Sequence, residues 1–513
     1  MGKLISLLRN RIAIIAFAIL IQLAVFVLLI LFLNKHVGSF YGVMLLLSAL
    51  LVVSILNDQS NPSYKIAWIV PIMLFPVFGG IFYILFGRQR KFKRELLALE
   101  TIKRRVAQSQ LRRPDVVNAL EAADRNAAAQ SHYIRKHSYM PPFIAEDPTY
   151  YPLGEEFFEA LKDDLRRARH YIFMEYFIVE PGKMWNEIEE ILAERAKAGV
   201  KVRLMYDDVG CLMTLPPGFD DELRRQGIEV AVFNPLKPIM SLRYNTRDHR
   251  KITVIDGKVG YTGGCNLADE YINAFVKHGH WKDSALRVEG EAAWGFAILF
   301  LSLWDFLVGI EEEYDVYLPP EYREPQPIPE SLCVVQPFTD DPLDGELVGS
   351  SIYINMINRA ERYVYIKTPY LIIDNEMQMA LSRAAKSGVD VRLITPGVPD
   401  KKTVFAMTRS YYPPLIESGV RIYEYTPGFV HEKVIVADER YAAIGTVNLD
   451  YRSLYLHYEC GIWLYQAQCI EAMREDFDAM FPLCHEVTLE ECVSVPAHQK
   501  FGRALLRFFA PLM

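Results

Sequence analysis

The sequence has few cysteines and no large excess of charge. Seven cysteines occur in 513 residues, their number is odd, and no two form a Cys-x-x-Cys pair. We interpret them as reduced thiols in a cytosolic compartment, which excludes a disulfide framework and a cysteine zinc site. The formal net charge of -7 argues against a general nucleic-acid binder, so no nucleic-acid partner is expected.

The sequence also lacks a P-loop, and no cluster of histidine, cysteine and aspartate stands at the spacing of metal ligands. We therefore expect no nucleotide, no metal and no other cofactor in the chemistry.

What the sequence does contain is one motif that occurs twice. The first copy consists of His249, Lys251, Asp256, Gly264 and Asn266. The second copy lies 182 residues further on (431 − 249 = 182) and consists of His431, Lys433, Asp438, Thr446 and Asn448.

The alternation of the first copy predicts a β-strand, on which His249 and Lys251 project from one face. A histidine is a natural nucleophile or proton carrier near neutral pH, and a neighbouring lysine supplies positive charge for a phosphoryl oxygen. The small Gly264 and Thr446 would let the backbone approach a ligand. Two such copies face to face would surround one phosphate and support double displacement without a metal.

The other polar residues of the motif leave alternatives open. Asp256 and Asp438 fall where a turn is expected, so each either bonds its own turn or orients a histidine. Asn266 and Asn448 are interpreted as phosphate-side donors, with loop capping as the alternative.

Two further carboxylates are candidates for supporting the site. Glu175 lies in an apolar strand and either supports the site or forms a buried ion pair. Glu459 follows Asn448 on a predicted strand and could reach the site.

These motifs resemble those of the phospholipase D superfamily, and their context resembles that of bacterial cardiolipin synthases. The matching context comprises Tyr244 and the segments 269–271, 281–283, 286–290, 425–429 and 448–453. The resemblance covers nearly the whole chain, including the apolar N-terminus. It implies that one histidine attacks phosphorus while the other protonates the leaving alkoxide, and family precedent favours His249 as the attacking residue. One departure is Glu432, where the family often has a small residue; strand alternation predicts that this side chain points away from the site.

Similar segments in two halves of the chain predict a duplicated α/β fold. The predicted elements are a helix at 154–169, strands at 171–177 and 199–205 around a helix at 185–198, strands at 363–369 and 388–394 around a helix at 376–386, and a core helix at 294–306. We place the first domain at 141–318, a proline-rich linker at 319–332 and the second domain at 333–500. The resemblance implies phospholipase D-like domains, each a β-sheet flanked by helices, with a pseudo-twofold axis and the active site between them.

Residues 1–87 contain three apolar segments, 12–33, 40–56 and 66–86, which predict N-terminal transmembrane helices. Residues 88–113, at the start of a helical connector placed at 88–140, hold ten Lys/Arg against two acids and favour the cytoplasm. The extreme N-terminus is also basic, so three full spans would conflict with this rule. Segment 66–86 contains two prolines and either crosses or bends back, and bending back resolves the conflict.

The tail at 501–513 predicts an amphipathic helix that lies at the membrane interface or docks on the protein body. We accordingly expect a multi-pass protein of the cell membrane with cytoplasmic catalytic domains.

The favoured hypothesis, implied by the resemblance, is a phosphatidyltransferase that converts two phosphatidylglycerol molecules into cardiolipin and glycerol through a phosphatidyl-histidine. The alternatives are a phospholipase D-type hydrolase, a transferase that uses another alcohol, and a non-catalytic membrane scaffold. The expected partners are the phospholipid substrate and the bilayer, and the sequence leaves the oligomeric state open.

Overall fold

A computed structural model describes residues 37–58, 60–87, 93–145, 148–236, 246–324, 327–329 and 332–512, together with residues 20, 23, 24 and 27. The predicted segment 12–33 lies outside the described residues apart from those four positions. Tyr244, residues 88–92 of the connector and residues 325, 326, 330 and 331 of the linker also lie outside them. Two compact units are formed, one containing the N-terminal helices and the other residues 93–233 and 246–507.

In the N-terminal unit, the predicted segment 40–56 is a helix and the segment 66–86 is a broken one. The helices are α1 (Val37–Asn57), α2 (Pro62–Leu74) and α3 (Pro76–Phe82), followed by a π-helical turn at Tyr83–Gly87. The hydroxyl of Tyr64 donates to the carbonyl of Gly87 at 2.6 Å, so the chain reverses between α2 and α3. The Ser48 hydroxyl donates to the carbonyl of Pro76 at 2.6 Å and satisfies a group at this break.

The second unit opens with three helices, as the composition of the connector predicts. They are α4 (Lys93–Ser109), α5 (Pro114–Ala123) and α6 (Arg125–His137). Arg113 at the start of α5 pairs with Glu291, and Arg105 of α4 pairs with Asp305 at 2.5 Å. Both acids belong to one long apolar helix of the body, so the connector is fixed to the core by buried ion pairs.

The strands and helices of the first half occur in alternation. They are β1 (Phe143–Ile144), β2 (Thr149–Tyr151), α7 (Gly154–Arg167), β3 (Tyr171–Tyr176), α8 (Lys183–Lys197), β4 (Lys201–Asp207), α9 (Phe219–Arg225), β5 (Ile228–Phe233), β6 (Arg247–Asp248), β7 (Ile252–Ile255), β8 (Val259–Gly263), β9 (His280–Lys282), β10 (Ala285–Glu289) and α10 (Glu291–Val308). Short 3₁₀ helices cover Asp269–Ile272, Tyr314–Val316 and Pro320–Arg323.

The second half repeats this order. Its elements are β11 (Val334–Asp340), α11 (Val348–Arg359), β12 (Tyr363–Lys367), α12 (Asn375–Lys386), β13 (Asp390–Pro396), α13 (Lys402–Thr408), α14 (Tyr412–Ile416), β14 (Arg421–Tyr425), β15 (Gly428–Val430), β16 (Val434–Ala437), β17 (Tyr441–Gly445), α15 (Tyr451–Tyr455), β18 (His457–Tyr465), α16 (Cys469–Met480), β19 (Cys484–Glu486), α17 (Leu489–Val493) and α18 (Ala497–Phe509).

The two halves form two sheets with the same strand order. The first sheet runs β2-β10-β8-β7-β3-β4-β5, and the second contains β11-β18-β17-β16-β12-β13-β14 in the corresponding positions. In both, the strand–helix–strand segments are parallel and the hairpins antiparallel. The predicted duplication of an α/β sheet flanked by helices is therefore confirmed.

One strand departs from the predicted domain division. Strand β1 lies in the region placed in the first domain, but it pairs antiparallel with β11 at the edge of the second sheet. An edge strand must be covered or paired, and here the start of one half pairs with the edge of the other.

Helix α10 is the one helix among the described residues that is long and apolar enough to cross a membrane. Because 83 % of that stretch is buried inside the protein, it is a core helix, as the sequence predicts for 294–306. All seven cysteines are free, as predicted, and six of them are buried.

Candidate active site

Two short parallel strand pairings cross between the halves. Strand β6 pairs with the start of β18, so that Asp248 lies opposite Tyr458. Strand β15 pairs with β9, so that Val430 lies opposite Lys282. Because a motif histidine follows β6 and another follows β15, each pairing brings a histidine of one half to a segment of the other.

His249 meets Glu459 in this way. The backbone N–H of His249 donates to the carbonyl of Tyr458 at 2.9 Å, and the next residue, Glu459, places both carboxylate oxygens 3.0 Å from His249 Nδ1. Glu459 was a predicted supporting residue, and the structure places it in contact with the histidine. Because Nδ1 is engaged, the free nitrogen of the imidazole is Nε2.

His431 meets Asp283 by the same arrangement. Its backbone N–H donates to the carbonyl of Lys282 at 2.8 Å, and Asp283 Oδ2 lies 2.7 Å from His431 Nδ1. Asp283 was not among the predicted site residues. Asp283 lies immediately before β10, and Glu459 lies near the start of β18. These two strands occupy equivalent positions in their sheets. The sequence signal for Asp283 is that an acid follows the motif asparagine in both halves, Asp283 after Asn266 and Glu459 after Asn448.

The two motif lysines lie beside the histidines and are buried. Lys251 Nζ donates to the backbone carbonyl of His249 at 2.8 Å, and Lys433 Nζ lies 2.9 Å from His431 Nδ1. Burial lowers the pKa of Lys251 and lowers that of Lys433 to about 7. Burial thus disfavours the charged form of both lysines, and an anion bound beside them would favour it.

Both imidazoles favour the neutral form. Burial, followed by the charges of Lys251 and Lys433, lowers the pKa of His249 well below its usual value. Burial and the same two lysines, with Lys433 now the larger of the two, lower the pKa of His431 similarly. A proton on His431 would also oppose a proton on His249, which lowers the pKa of His249 further.

The two acids differ in their ease of ionisation. Burial raises the pKa of Asp283 to about 6, partly offset by the charge of Lys433. Burial raises the pKa of Glu459 to about 8, partly offset by Lys251. At neutral pH, therefore, Asp283 is mainly ionised and Glu459 mainly protonated.

Gly264 and Thr446 lie next to these two acids. A Cβ atom at Gly264 would lie 2.0 Å from Asp283 Oδ1, so the absence of a side chain makes room for the carboxylate. At the equivalent position the Thr446 hydroxyl donates to Glu459. That these residues also let the backbone approach a ligand stays a prediction.

The two asparagines are buried but differ in their hydrogen bonds. Asn266 Oδ1 accepts from the N–H of Ile178 at 3.0 Å, and its Nδ2 donates to the Tyr271 hydroxyl at 2.6 Å. Asn448 Oδ1 has no hydrogen-bond partner within the described part of the chain. The phosphate-side role stays a prediction for both residues.

Asp256 and Asp438 lie in the turns of the motif hairpins. Asp256 accepts from the N–H groups of residues 169–171 at 2.7–2.8 Å, and Asp438 accepts from those of residues 361–363 at 2.7–2.9 Å. Because both carboxylates are saturated by backbone donors at the start of β3 and β12, the alternative that they orient a histidine is wrong. Both residues have a positive φ, 53° and 57°, which aspartate tolerates in turns.

The residue between each histidine and lysine forms a buried ion pair on the opposite face of the motif. Arg250 Nε lies 2.7 Å from Glu175 and 3.0 Å from Asp248. At the equivalent positions of the second half, Glu432 lies 2.9 Å from Lys367 Nζ. The prediction that Glu432 points away from the site is confirmed, and of the alternatives for Glu175 the buried ion pair is the one observed. The polarity of this pair is reversed between the halves.

The expectation that no ligand cluster exists needs a correction. His249, His457 and Glu459 bring one potential ligand atom each to within 4.8 Å of one another. The group is not recognisable in the sequence because His249 lies about 200 residues before His457 and Glu459. The two lysines beside it oppose the binding of a cation.

We expect Asp256→Asn to lower stability and leave the chemistry intact. The amide has one acceptor oxygen in place of two, so the loss of backbone bonds should cost about 1–3 kcal/mol. Thermal unfolding and the initial rate per folded enzyme measure the two effects, with the exposed Asp221→Asn as control. A variant of normal stability that had lost its turnover would contradict this assignment.

We expect Arg250→Met to destabilise the protein by roughly 3–5 kcal/mol, because two buried carboxylates lose their counter-charge. Denaturant unfolding of the detergent-solubilised protein measures the change. The matched control is Arg225→Met, an arginine that is 70 % exposed and should change stability by less than about 0.5 kcal/mol. Equal stability of the two variants would show that the buried pair is dispensable.

The chain matches the family model described as cardiolipin synthase, PLD-like domain, over residues 161–277 and 353–481. Residues 46–88 match a second model, described as Phospholipase_D-nuclease N-terminal. The two long matches fall on the two halves defined by the sheets, and each contains one copy of the motif.

Similar proteins extend these matches to most of the chain. A cardiolipin synthase of Geobacillus kaustophilus is 35 % identical, over 94 % of this chain and 95 % of its own length. An uncharacterised protein of Streptococcus mutans is 40 % identical, over 90 % of this chain and 99 % of its own length. The solved structure of phosphatidylserine synthase from Haemophilus influenzae matches the fold with a TM-score of 0.57 at 16 % identity, covering 74 % of this chain and 97 % of that one. The chain therefore belongs to the cardiolipin synthase family of phospholipase D-like proteins.

Proposed function

We propose that the protein is a cardiolipin synthase, which transfers a phosphatidyl group between two phosphatidylglycerol molecules and releases glycerol. One observation carries the proposal. Two buried imidazoles, each paired with a carboxylate of the other half, lie beside two lysines. The relatives named cardiolipin synthase support the choice of lipid substrate.

The reaction proceeds by two displacements at phosphorus. In the first, Nε2 of one histidine attacks phosphorus, the P–O bond to glycerol breaks, and the other histidine gives its proton to the leaving oxygen. In the second, that histidine takes a proton from the free hydroxyl of another phosphatidylglycerol, whose oxygen attacks phosphorus while the P–N bond breaks. One phosphodiester replaces another, so the reaction needs no nucleotide.

The surrounding charges prepare the site for this sequence. Lys251 and Lys433 bind the non-bridging phosphoryl oxygens and offset the charge that develops on them. Burial and the two lysines disfavour protonation of both imidazoles, and the negative charge of the lipid phosphate between the lysines offsets this effect for one of them. Asp283 and Glu459 hold the Nδ1 atoms, so that each Nε2 faces the phosphate.

We infer that the N-terminal unit anchors the enzyme in the cell membrane as a multi-pass segment. Support comes from α1, whose side chains include exposed leucines such as Leu46 at 62 % and Leu50 at 58 %. The reversal between α2 and α3 favours a re-entrant segment at 66–86. With the predicted span at 12–33 this leaves both basic stretches and the catalytic domains on the cytoplasmic side.

We infer further that α18 contacts the membrane interface. Its Phe501 is 73 % exposed and its Leu505 50 %, one turn apart on the same face. Arg507 lies over the Tyr411 ring at 4.4 Å, so another face of the helix docks on the body. The two predicted roles of this tail are therefore compatible.

We expect the purified protein to convert phosphatidylglycerol vesicles into cardiolipin and glycerol. His249→Ala and His431→Ala should each lower the rate by at least about 10³-fold, because both displacements need both imidazoles. Acid-free trapping and peptide mapping should find a phosphatidyl group on one of the two histidines. The exposed His485→Ala is the matched control and should retain the wild-type rate.

Two outcomes would favour the alternatives. Phosphatidic acid as the main product, without cardiolipin, would indicate a phospholipase D-type hydrolase. Lipid turnover that is unchanged in both histidine variants would indicate a scaffold without catalytic function.

The pH dependence should report the ionisation of Asp283. Because its pKa is raised to about 6, the carboxylate that stabilises a charged His431 is lost below that pH, and kcat/KM should fall with decreasing pH through this range. Asp283→Asn should lower kcat by about 10³–10⁴-fold. Rates of cardiolipin formation between pH 5 and 8 test this. An active Asp283→Asn variant with the wild-type acid limb would contradict it.

A further inference from the structure

Among the rings around each catalytic imidazole, one lies two residues before the acid partner, and these two rings occupy equivalent positions. The His249 ring also contacts the Phe177 ring at 5.1 Å. His457 precedes Glu459 by two residues, and Trp281 precedes Asp283 by two residues. The His457 ring lies 5.7 Å from the His249 ring at an interplanar angle of 46°. The Trp281 ring lies 5.5 Å from the His431 ring at 43°. The backbone geometry is thus conserved between the halves, whereas the chemistry of the ring is not.

The His431 side is lined by aromatic rings. Trp281 packs against Phe429 at 4.8 Å and against Tyr271 at 5.1 Å, and both of these rings also lie within 6.0 Å of the His431 ring. The indole N–H of Trp281 has no acceptor among the described residues, but an indole offers only a donor. This side of the site is therefore mainly apolar and excludes water.

The His249 side carries an imidazole without hydrogen bonds. The His457 side chain is 10 % exposed, its Nδ1 lies 3.8 Å from Glu459, and neither ring nitrogen has a hydrogen-bond partner in the described part of the chain. Burial, followed by the charge of His249, lowers the pKa of His457 well below its usual value. The neutral ring offers one donor and one acceptor, which matches a hydroxyl group.

A second unpaired polar atom lies on the same side. The backbone N–H of Asn448 donates at 2.7 Å to Ser453 Oγ, which donates at 2.6 Å to Glu459, so Asn448 is held next to that carboxylate. Its Oδ1 has no hydrogen-bond partner among the described residues. The equivalent oxygen of Asn266 is occupied by a backbone N–H. Buried polar groups are normally satisfied, so these atoms point to a polar ligand.

We propose that His457, together with the side-chain oxygen of Asn448, binds the hydroxyl groups of the polyol that leaves from or attacks phosphorus, and that this polyol site lies on the His249 side. The inference rests on the proposed function and deepens it, because it names the residues that select a polyol over a simple alcohol or water. A buried donor and acceptor reject an alcohol that cannot pair with them.

The position of the polyol also assigns the two histidines. In an in-line displacement the attacking and leaving groups lie on opposite sides of phosphorus. A polyol held beside His249 receives its proton from His249, so His431 is the residue that attacks. This reverses the order that the resemblance favours. The aromatic rings then shield the P–N bond from water, and the lower pKa of Asp283, about 6 against about 8 for Glu459, supplies an ionised partner to the attacking histidine.

Alcohol competition tests the polyol site. The full-length enzyme is incubated with phosphatidylglycerol vesicles and either labelled glycerol or 1-propanol, which has the same number of carbon atoms and one hydroxyl. The measured quantity is the ratio of labelled phosphatidylglycerol to phosphatidylpropanol formed. His457→Phe keeps a ring and removes both nitrogens, and we expect it to lower this ratio about tenfold, corresponding to ~1.4 kcal/mol, through the KM for glycerol. His457→Gln, which keeps a donor and an acceptor, should retain most of the preference.

The controls separate this inference from the proposed function. The exposed His485→Phe should leave the ratio and the rate unchanged. A wild-type enzyme that forms neither transfer product would contradict the proposed function itself. A wild-type enzyme that transfers to both alcohols, with an unchanged ratio in His457→Phe, would overturn the polyol site alone. Equal loss of both products in a folded His457→Phe and in His457→Gln would also overturn it, because it would indicate a purely structural role.

Mapping of the trapped intermediate tests the assignment in the unaltered protein. Wild-type enzyme is mixed with phosphatidylglycerol, quenched without acid and digested. We expect the phosphatidyl group on the peptide that contains His431. Its recovery on the peptide that contains His249 would overturn the placement of the polyol on the His249 side.

Discussion

The site depends on two short backbone pairings between the halves, β6 with β18 and β15 with β9. Each pairing fixes the position of a histidine along a segment of the other half. The residue after the last paired residue of that segment is the acid that contacts Nδ1 of the histidine. Neither half contains a complete histidine–carboxylate pair. Both halves are therefore needed to assemble the site, because a single half lacks the acid partner and the second imidazole.

The buried polar side chains of the site are stabilised by contacts with one another. Two lysines, two imidazoles and two acids are buried side by side. Their burial lowers the pKa of the imidazoles, lowers that of Lys433 to about 7 and raises those of both acids. A bound anion would stabilise the charged form of the lysines, and a phosphodiester carries such a charge. Because burial opposes the charged form of these bases, the arrangement favours an anionic ligand over a neutral one.

Periodicity and duplication were enough to predict the histidines, the lysines, the α/β halves and the outward orientation of Glu432. They left Asp256 and Asp438 ambiguous, because a turn carboxylate that caps backbone N–H groups of a distant strand start has the same local pattern as one that orients a histidine. Asp283 was missed, since its role arises from the pairing of β15 with β9 and those segments are far apart in sequence. Asp283 packs against Gly264, where a side chain would clash, whereas Glu459 accepts a hydrogen bond from the hydroxyl of Thr446. This pairing of acid and neighbour depends on the three-dimensional structure and has no pattern in the sequence.

The reversed polarity of the ion pairs behind the two motifs bears on how a duplicated chain avoids assembling incorrectly. The β7 and β16 segments are similar enough that each could add to the wrong sheet during folding. An exchange would place Arg250 against Lys367 and Glu432 against Glu175, two encounters of like charge with no water to screen them. The opposite polarity of the two ion pairs, directly beside the motif histidines and lysines, therefore favours pairing of each hairpin with its own sheet.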